Sequence, residues 1–164
     1  MDENRQMNGI TIERLSAASQ QLDQVADWTF DAWGHLHPEA DIAGWRQAVA
    51  QMCGPAGVPS VFVAVKEGQA LGTASLSPDD MSIRRELSPW LASVYVPPEQ
   101  RGQGLASALV RRVEREARDH GIEWLHLYTP DQQSLYRRLG WEELEELDYL
   151  GERVTIMRRR LIDG

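Results

Sequence analysis

Apolar and polar side chains alternate over Ile10-Thr11-Ile12-Glu13-Arg14-Leu15, with β-branched residues in place, and this period of two predicts a first strand. From Ser16 to Gly34 the spacing becomes helical: Leu22, Val25, Ala26, Thr29 and Phe30 form an apolar stripe that Asp23, Asp27 and Asp31 avoid, and Gly34 is a stop signal. Asp41 to Met52 predicts a second helix with Ile42, Trp45, Val49 and Met52 on one side, so that the two helices cover one sheet face. After the Gly54-Pro55-Ala56-Gly57-Val58-Pro59 break, Val61 to Val65 and Ala70 to Leu76 read as an antiparallel hairpin turning at Glu67-Gly68-Gln69. Ser77 to Ser88 lacks periodicity and predicts a loop.

Pro89 to Val96 is the next strand. Gly104 to His120 follows as a helix with Ala106, Leu109, Val110, Val113 and Ala117 on one face and arginines and glutamates on the other, closed by Gly121. Trp124 to Thr129 is a strand, Asp131 to Leu139 a short helix stopped at Gly140, and Trp141 to Tyr149 and Arg153 to Arg160 a final pair of strands. The fold class is therefore α/β. We expect a single domain with a mixed, mostly antiparallel sheet, helices on both faces, and one right-handed parallel β-α-β crossover from the Pro89 strand to the Trp124 strand. The domain is expected to span residues 8–163, with residues 1–7 a flexible N-terminus.

At 164 residues the chain suffices for one core without disulfide or metal, and its single cysteine, Cys53, fits a reducing, cytoplasmic compartment. Neither a signal peptide nor a run of about 18 apolar residues is legible, which argues against secretion and membrane spanning. A net charge of −8 argues against a nucleic-acid binder.

The stretch that carries chemistry is Val94-Tyr95-Val96-Pro97-Pro98-Glu99-Gln100-Arg101-Gly102-Gln103-Gly104-Leu105-Ala106-Ser107, a strand feeding a helix through glycines that let backbone N–H groups approach an anion. A nucleotide P-loop would need Lys and Ser/Thr where Leu105-Ala106 stand, and that ligand is excluded. A dinucleotide fingerprint would need a third Gly or Ala at Ser107 and an acidic residue after the next strand, where Tyr128-Thr129 stand; it fits poorly.

Arg101-Gly102-Gln103-Gly104-Leu105-Ala106 does match Arg/Gln-x-x-Gly-x-Gly/Ala at a helix start. Together with Leu135-Tyr136-Arg137-Arg138-Leu139-Gly140-Trp141 and the element order, the chain resembles the GNAT superfamily of N-acetyltransferases. The resemblance implies acetyl-CoA in a wedge between the Val94 and Trp124 strands, opened by a β-bulge near Ala92-Ser93. Val94, Tyr95 and Val96 would supply strand backbone to the pantetheine, and N–H groups from Arg101, Gly102, Gln103, Gly104, Leu105, Ala106 and Ser107 would hold the pyrophosphate.

It also implies Tyr136 as general acid in a direct transfer of acetyl to a primary amine of a small molecule or peptide. Thr129 and Gln132 depart from the residues common in the family at their positions, where asparagine and alanine are usual. For the general base the candidates are Glu86 first and Asp80 second, both on the loop before the ligand strand, with water as the alternative. No metal is expected: His35 and His37 lack a third ligand and read as rim residues. His126 either lines the acceptor pocket or is structural. Trp33 and Trp90 fall near the presumed mouth, and Cys53 reads as a buried small residue. The acidic run Glu142, Glu143, Glu145, Glu146, Asp148 leans the acceptor toward a cationic amine if it borders that side. A non-catalytic acyl-CoA-binding module is the competing class, and the resemblance leaves a homodimer open.

Overall fold

In the computed structural model, which describes residues 9–162, seven strands form one sheet. β1 (Thr11–Arg14), β2 (Ser60–Lys66), β3 (Gln69–Ser77) and β4 (Trp90–Tyr95) are antiparallel neighbours. β5 (Trp124–Thr129), β6 (Glu142–Tyr149) and β7 (Glu152–Arg160) complete the order β1-β2-β3-β4-β5-β7-β6, in which only β4 and β5 are parallel. The expected flexible segment, residues 1–7, lies outside the described residues.

Helices α1 (Leu22–Trp33) and α2 (Ile42–Met52) lie on one face, and α3 (Leu105–Asp119) and α4 (Gln133–Arg138) on the other. The unbroken apolar run of β2 explains why both faces are covered. Phe62 and Ala64 join Leu109, Val110 and Val113 of α3, while Val61, Val63 and Val65 join Val25 of α1 and, at its edge, Val49 and Met52 of α2. The predicted stripe of α3 is buried at Leu109, Val110, Val113 and Ala117 and partly buried at Ala106, and Gly121, at φ 78°, turns the chain out of the helix.

One expectation needs correction. The first helix begins at Leu22, not Ser16, because the serines before it bond locally: the Ser16 N–H reaches Ser19 Oγ at 2.9 Å and the Ala18 N–H reaches Ser16 Oγ at 3.2 Å. On the polar face of α3, burial reaches two acidic residues. Glu114 and Glu116 are buried, each among specific partners.

Glu114 accepts from Arg111 at 2.8 Å and from the Trp141 indole at 3.0 Å, which fastens α3 to the segment after α4. Glu116 accepts the Gly57 N–H at 2.7 Å and pairs with Arg14 of β1 at 2.8 Å and Arg112 at 3.1 Å. Burial by itself raises the Glu116 carboxyl, but the Gly57 N–H and the two guanidinium groups outweigh it and hold the pKa at about 2.

A depressed carboxylate stabilises the fold above its unfolded pKa and loses that contribution as pH falls. We therefore expect wild-type stability to drop as pH falls from about 4.5 toward about 2, and Glu116→Gln to flatten that limb. At neutral pH the substitution should cost about 3 kcal/mol, because it leaves two guanidinium groups without their shared anion. Urea denaturation of both proteins across that range measures it.

Candidate active site

The site begins with a failure of pairing. β4 pairs with β5 at one position, Trp90 with His126, and beyond it the two parallel strands diverge toward their C-terminal ends. On the other side of β4, Thr73 faces Tyr95 and Ser75 faces Ala92, so β4 carries one more residue than β3 between these pairs. Ser93 takes up the extra length at φ 53°, a left-handed conformation that redirects the strand edge. Into the gap opens a cavity of about 690 Å³.

One end of the cavity is backbone. Val94, Tyr95, Val96, Arg101, Gly102 and Ala106 line it. After Pro97 a short 3-10 turn over Pro98–Gln100 leads to Gly102 and Gly104, at φ 86° and 82°; a Cβ at either would find nothing within 4 Å. The glycines thus serve the backbone angle and leave open space in front of it. α3 begins directly after Gly104 with no side-chain cap, so the N–H groups of its first turn point out of the helix without an intrahelical acceptor.

The remaining members of that loop have other side-chain duties. Leu105 is buried in the core, Gln103 donates to the Gln100 side chain at 2.9 Å, and Ser107 is half-buried outside the cavity lining. Their backbone N–H groups, and those of Gly104, are what they can offer a ligand. Arg101 donates from Nε to the Val96 carbonyl at 3.0 Å, which ties the loop to the strand end and occupies one lone pair of that carbonyl.

Tyr136, on α4, lines the middle of the cavity with only 6% of its surface exposed. Its ring meets Trp141 edge-on, 6.0 Å between centroids, and its hydroxyl has no hydrogen-bond partner among the described residues. Burial pushes this phenol up to about 12. Thr129 accepts the Gln132 N–H at 3.0 Å, so the turn into α4 is closed by a threonine hydroxyl.

The other end is built from distant segments. Trp33, His35 and His37 come from α1 and the turn after it, Asp80 from the loop before β4, Tyr128 from β5, and Tyr149 and Glu152 from the β6–β7 hairpin. The Tyr149 hydroxyl accepts the Ser82 N–H at 2.8 Å and so fixes the Asp80 loop to the hairpin. Asp80 loses solvation there, which raises its carboxyl well above the ordinary carboxylate range.

Several sequence expectations change here. Glu86 is exposed and is not among the cavity-lining residues, because a turn closed by the Leu87 N–H and the Arg84 carbonyl carries it outward. Asp80 is the loop carboxylate that reaches the cavity. Trp90 is not at the mouth: it is fully buried among Met81, Val154 and Ile156. His126 is buried against Trp90, with Nδ1 3.3 Å from the Pro89 carbonyl, and burial lowers its pKa; it is structural.

The acidic run of β6 is neutralised. Glu142 pairs with Arg158, Glu143 with Arg137, Glu145 with Arg84, and Glu146 and Asp148 with Arg153, so it gives no argument about the acceptor. Cys53 is half-buried with its thiol pushed up to about 11 by burial, which leaves it unreactive near neutrality. No group of three or more metal-ligating side chains occurs among the described residues, and none of their helices is long and apolar enough to cross a membrane. What the sequence did not single out is Tyr149 and Glu152. They close the β6–β7 hairpin as the last residue of one strand and the first of the next, and their place at a strand end was the only available signal.

Similarity to known proteins agrees with this geometry. The family model for the acetyltransferase (GNAT) family matches residues 22–141. A mycothiol acetyltransferase from Nocardiopsis dassonvillei is 33% identical over 94 residues, covering 57% of this chain and 27% of that protein. The matched segments span 27% to 38% of the length of three such curated relatives. Among solved structures, an aminoglycoside 6'-N-acetyltransferase complexed with coenzyme A superposes with a TM-score of 0.76 at 16% identity, over 94% of this chain and 98% of the other. A ribosomal-protein-alanine N-acetyltransferase from Brucella melitensis superposes with a TM-score of 0.72 at 23% identity, over 92% and 99%. With a family model matched over most of its length and the same mixed sheet split at its one parallel pair, this chain belongs to the GNAT acetyltransferase family.

Proposed function

We propose that the chain, as one domain over residues 8–163 of a cytoplasmic protein, transfers an acetyl group from acetyl-CoA directly to a primary amine of a small molecule or peptide. The observation that carries this is the continuity of one cavity from the unpaired N–H groups at the start of α3, past Val94, to the unpartnered Tyr136 hydroxyl. The residues fit the cosubstrate. Free helix N-terminal donors with open space over Gly102 and Gly104 suit a pyrophosphate, and the unpaired edge of β4 suits the amide-bearing pantetheine.

When bound, acetyl-CoA supplies an activated acyl carbon on a thiol leaving group. N–H groups from Arg101 to Ser107 hold its phosphates, and the backbone of Val94 to Val96 orients its arm and polarises the carbonyl. Asp80, directly or through water, takes one proton from the acceptor ammonium and passes it to solvent, leaving a neutral amine. The C–N bond forms as the C–S bond breaks. Tyr136 gives its phenolic proton to the departing sulfur and is restored by the second proton that the nitrogen loses, so one proton is released per turnover.

The test is coenzyme A release measured over a panel of primary amines, with acetyl-CoA binding followed separately. Turnover on at least one amine is expected. Tight acetyl-CoA binding with no turnover on any of them would instead make the chain a non-catalytic acyl-CoA-binding module.

A further inference from the structure

The acceptor end of the cavity carries more charge information than its size suggests. Asp80 and Glu152 both line it, they come from elements far apart in sequence, and neither forms an ion pair with any described residue. This sets them apart from the acidic run of β6, each member of which has an arginine. Tyr128 lines the cavity with them and feels both: its phenol is pushed up first by burial and then by Asp80, Tyr149 and Glu152. Tyr128 and Tyr149 meet edge to face with centroids 5.6 Å apart. The same cavity is lined by Tyr136, a residue only 6% exposed whose hydroxyl has no partner among the described residues.

Carboxylates left unneutralised beside aromatic rings suit alkylammonium groups, which recover electrostatic energy there and meet ring faces. An acceptor bearing a carboxylate or phosphate would meet repulsion instead. We propose that the acceptor is a dicationic amine of the alkyl diamine or polyamine class, with its reacting nitrogen at Asp80 and its second ammonium at Glu152 against Tyr128 and Tyr149. This rests on the acetyltransferase function proposed above. Glu152 is an exposed hairpin residue, so its substitution leaves the fold intact, and its influence is that of a partly solvated charge.

The experiment compares coenzyme A release by the full chain with terminal diaminobutane, butylamine and aminobutyrate. At low salt kcat/KM for the diamine should exceed that for butylamine by about fivefold, a preference that Glu152→Gln and about 0.5 M salt should each abolish. Aminobutyrate should be the poorest of the three. Equal rates for diamine and butylamine, or a preference that survives Glu152→Gln, overturn the dicationic acceptor and leave the acetyltransferase function standing. If no amine reacts, the acetyltransferase function itself fails, and calorimetric titration of diaminobutane then decides the site alone. Binding to wild type that is weakened in Glu152→Gln upholds it; no binding to wild type overturns it.

Discussion

Tyr136→Phe is expected to lower kcat by about a hundredfold while leaving the KM for acetyl-CoA within about twofold of wild type. The hydroxyl holds nothing else in the fold together. It has no hydrogen-bond partner among the described residues, so its removal orphans no donor or acceptor, and the ring that packs edge-on against Trp141 is unchanged. A purely structural tyrosine would therefore show almost no effect in this variant. Its proton is also well suited to a thiolate. With the phenol pushed up to about 12 by burial, Tyr136 stays protonated across the working range, and loss of activity through its ionisation is expected only as pH approaches that value. Stopped-flow or steady-state coenzyme A release, with thermal unfolding as a control for folding, measures both parts. Wild-type turnover in Tyr136→Phe would remove the tyrosine from the mechanism and leave water to protonate the sulfur.

What could be foreseen from the chain followed the range of the interactions involved. The loop over Gly102 and Gly104 was legible because its chemistry is local: two left-handed glycines, a proline before them and an apolar helix stripe after them are all contiguous. The sheet and its single crossover were legible for a similar reason, since short apolar or alternating strand runs and helical periods of 3.6 follow one another along the chain, separated by turn residues. Glu116 was not. Beyond Arg112, one turn before it, its partners are Gly57, 59 residues away, and Arg14 of β1, and the sequence around it does not announce a buried carboxylate.

The choice between Glu86 and Asp80 was illegible in the same way. Both lie on an aperiodic loop; a turn between Arg84 and Leu87 carries Glu86 outward, while the Asp80 end of the loop is tied to the hairpin by a bond between Tyr149 and Ser82, 67 residues apart. Trp90 was misplaced because it opens a strand whose first residue lies under the loop, where Met81 covers it. The cofactor half of the site is thus written in one segment. The acceptor half is assembled from five, and a sequence pattern does not encode which side chains of separate loops converge.

The same convergence makes Asp80→Asn the more informative substitution. Its expected effect on kcat/KM for amine acceptors is a fall of about a hundredfold, the loss of a positioned proton acceptor. In wild type the ascending limb of kcat/KM against pH should lie above the ordinary carboxylate range, because burial raises Asp80, and in Asp80→Asn that limb should vanish. The variant should also be more stable than wild type near neutral pH. A carboxyl raised in the folded state binds its proton more tightly there than when unfolded, so stability falls as pH rises from the unfolded pKa through the folded one; neutral pH lies above the unfolded pKa, so Asp80 carries that loss there and an asparagine does not. A carboxylate held unpaired at the wall of a cavity destabilises the empty fold, and a function that requires it there is the physical reason to retain it. Lower activity together with higher thermal stability is therefore the signature to look for. Lower activity with lower stability would mean that Asp80 supports the loop rather than the reaction.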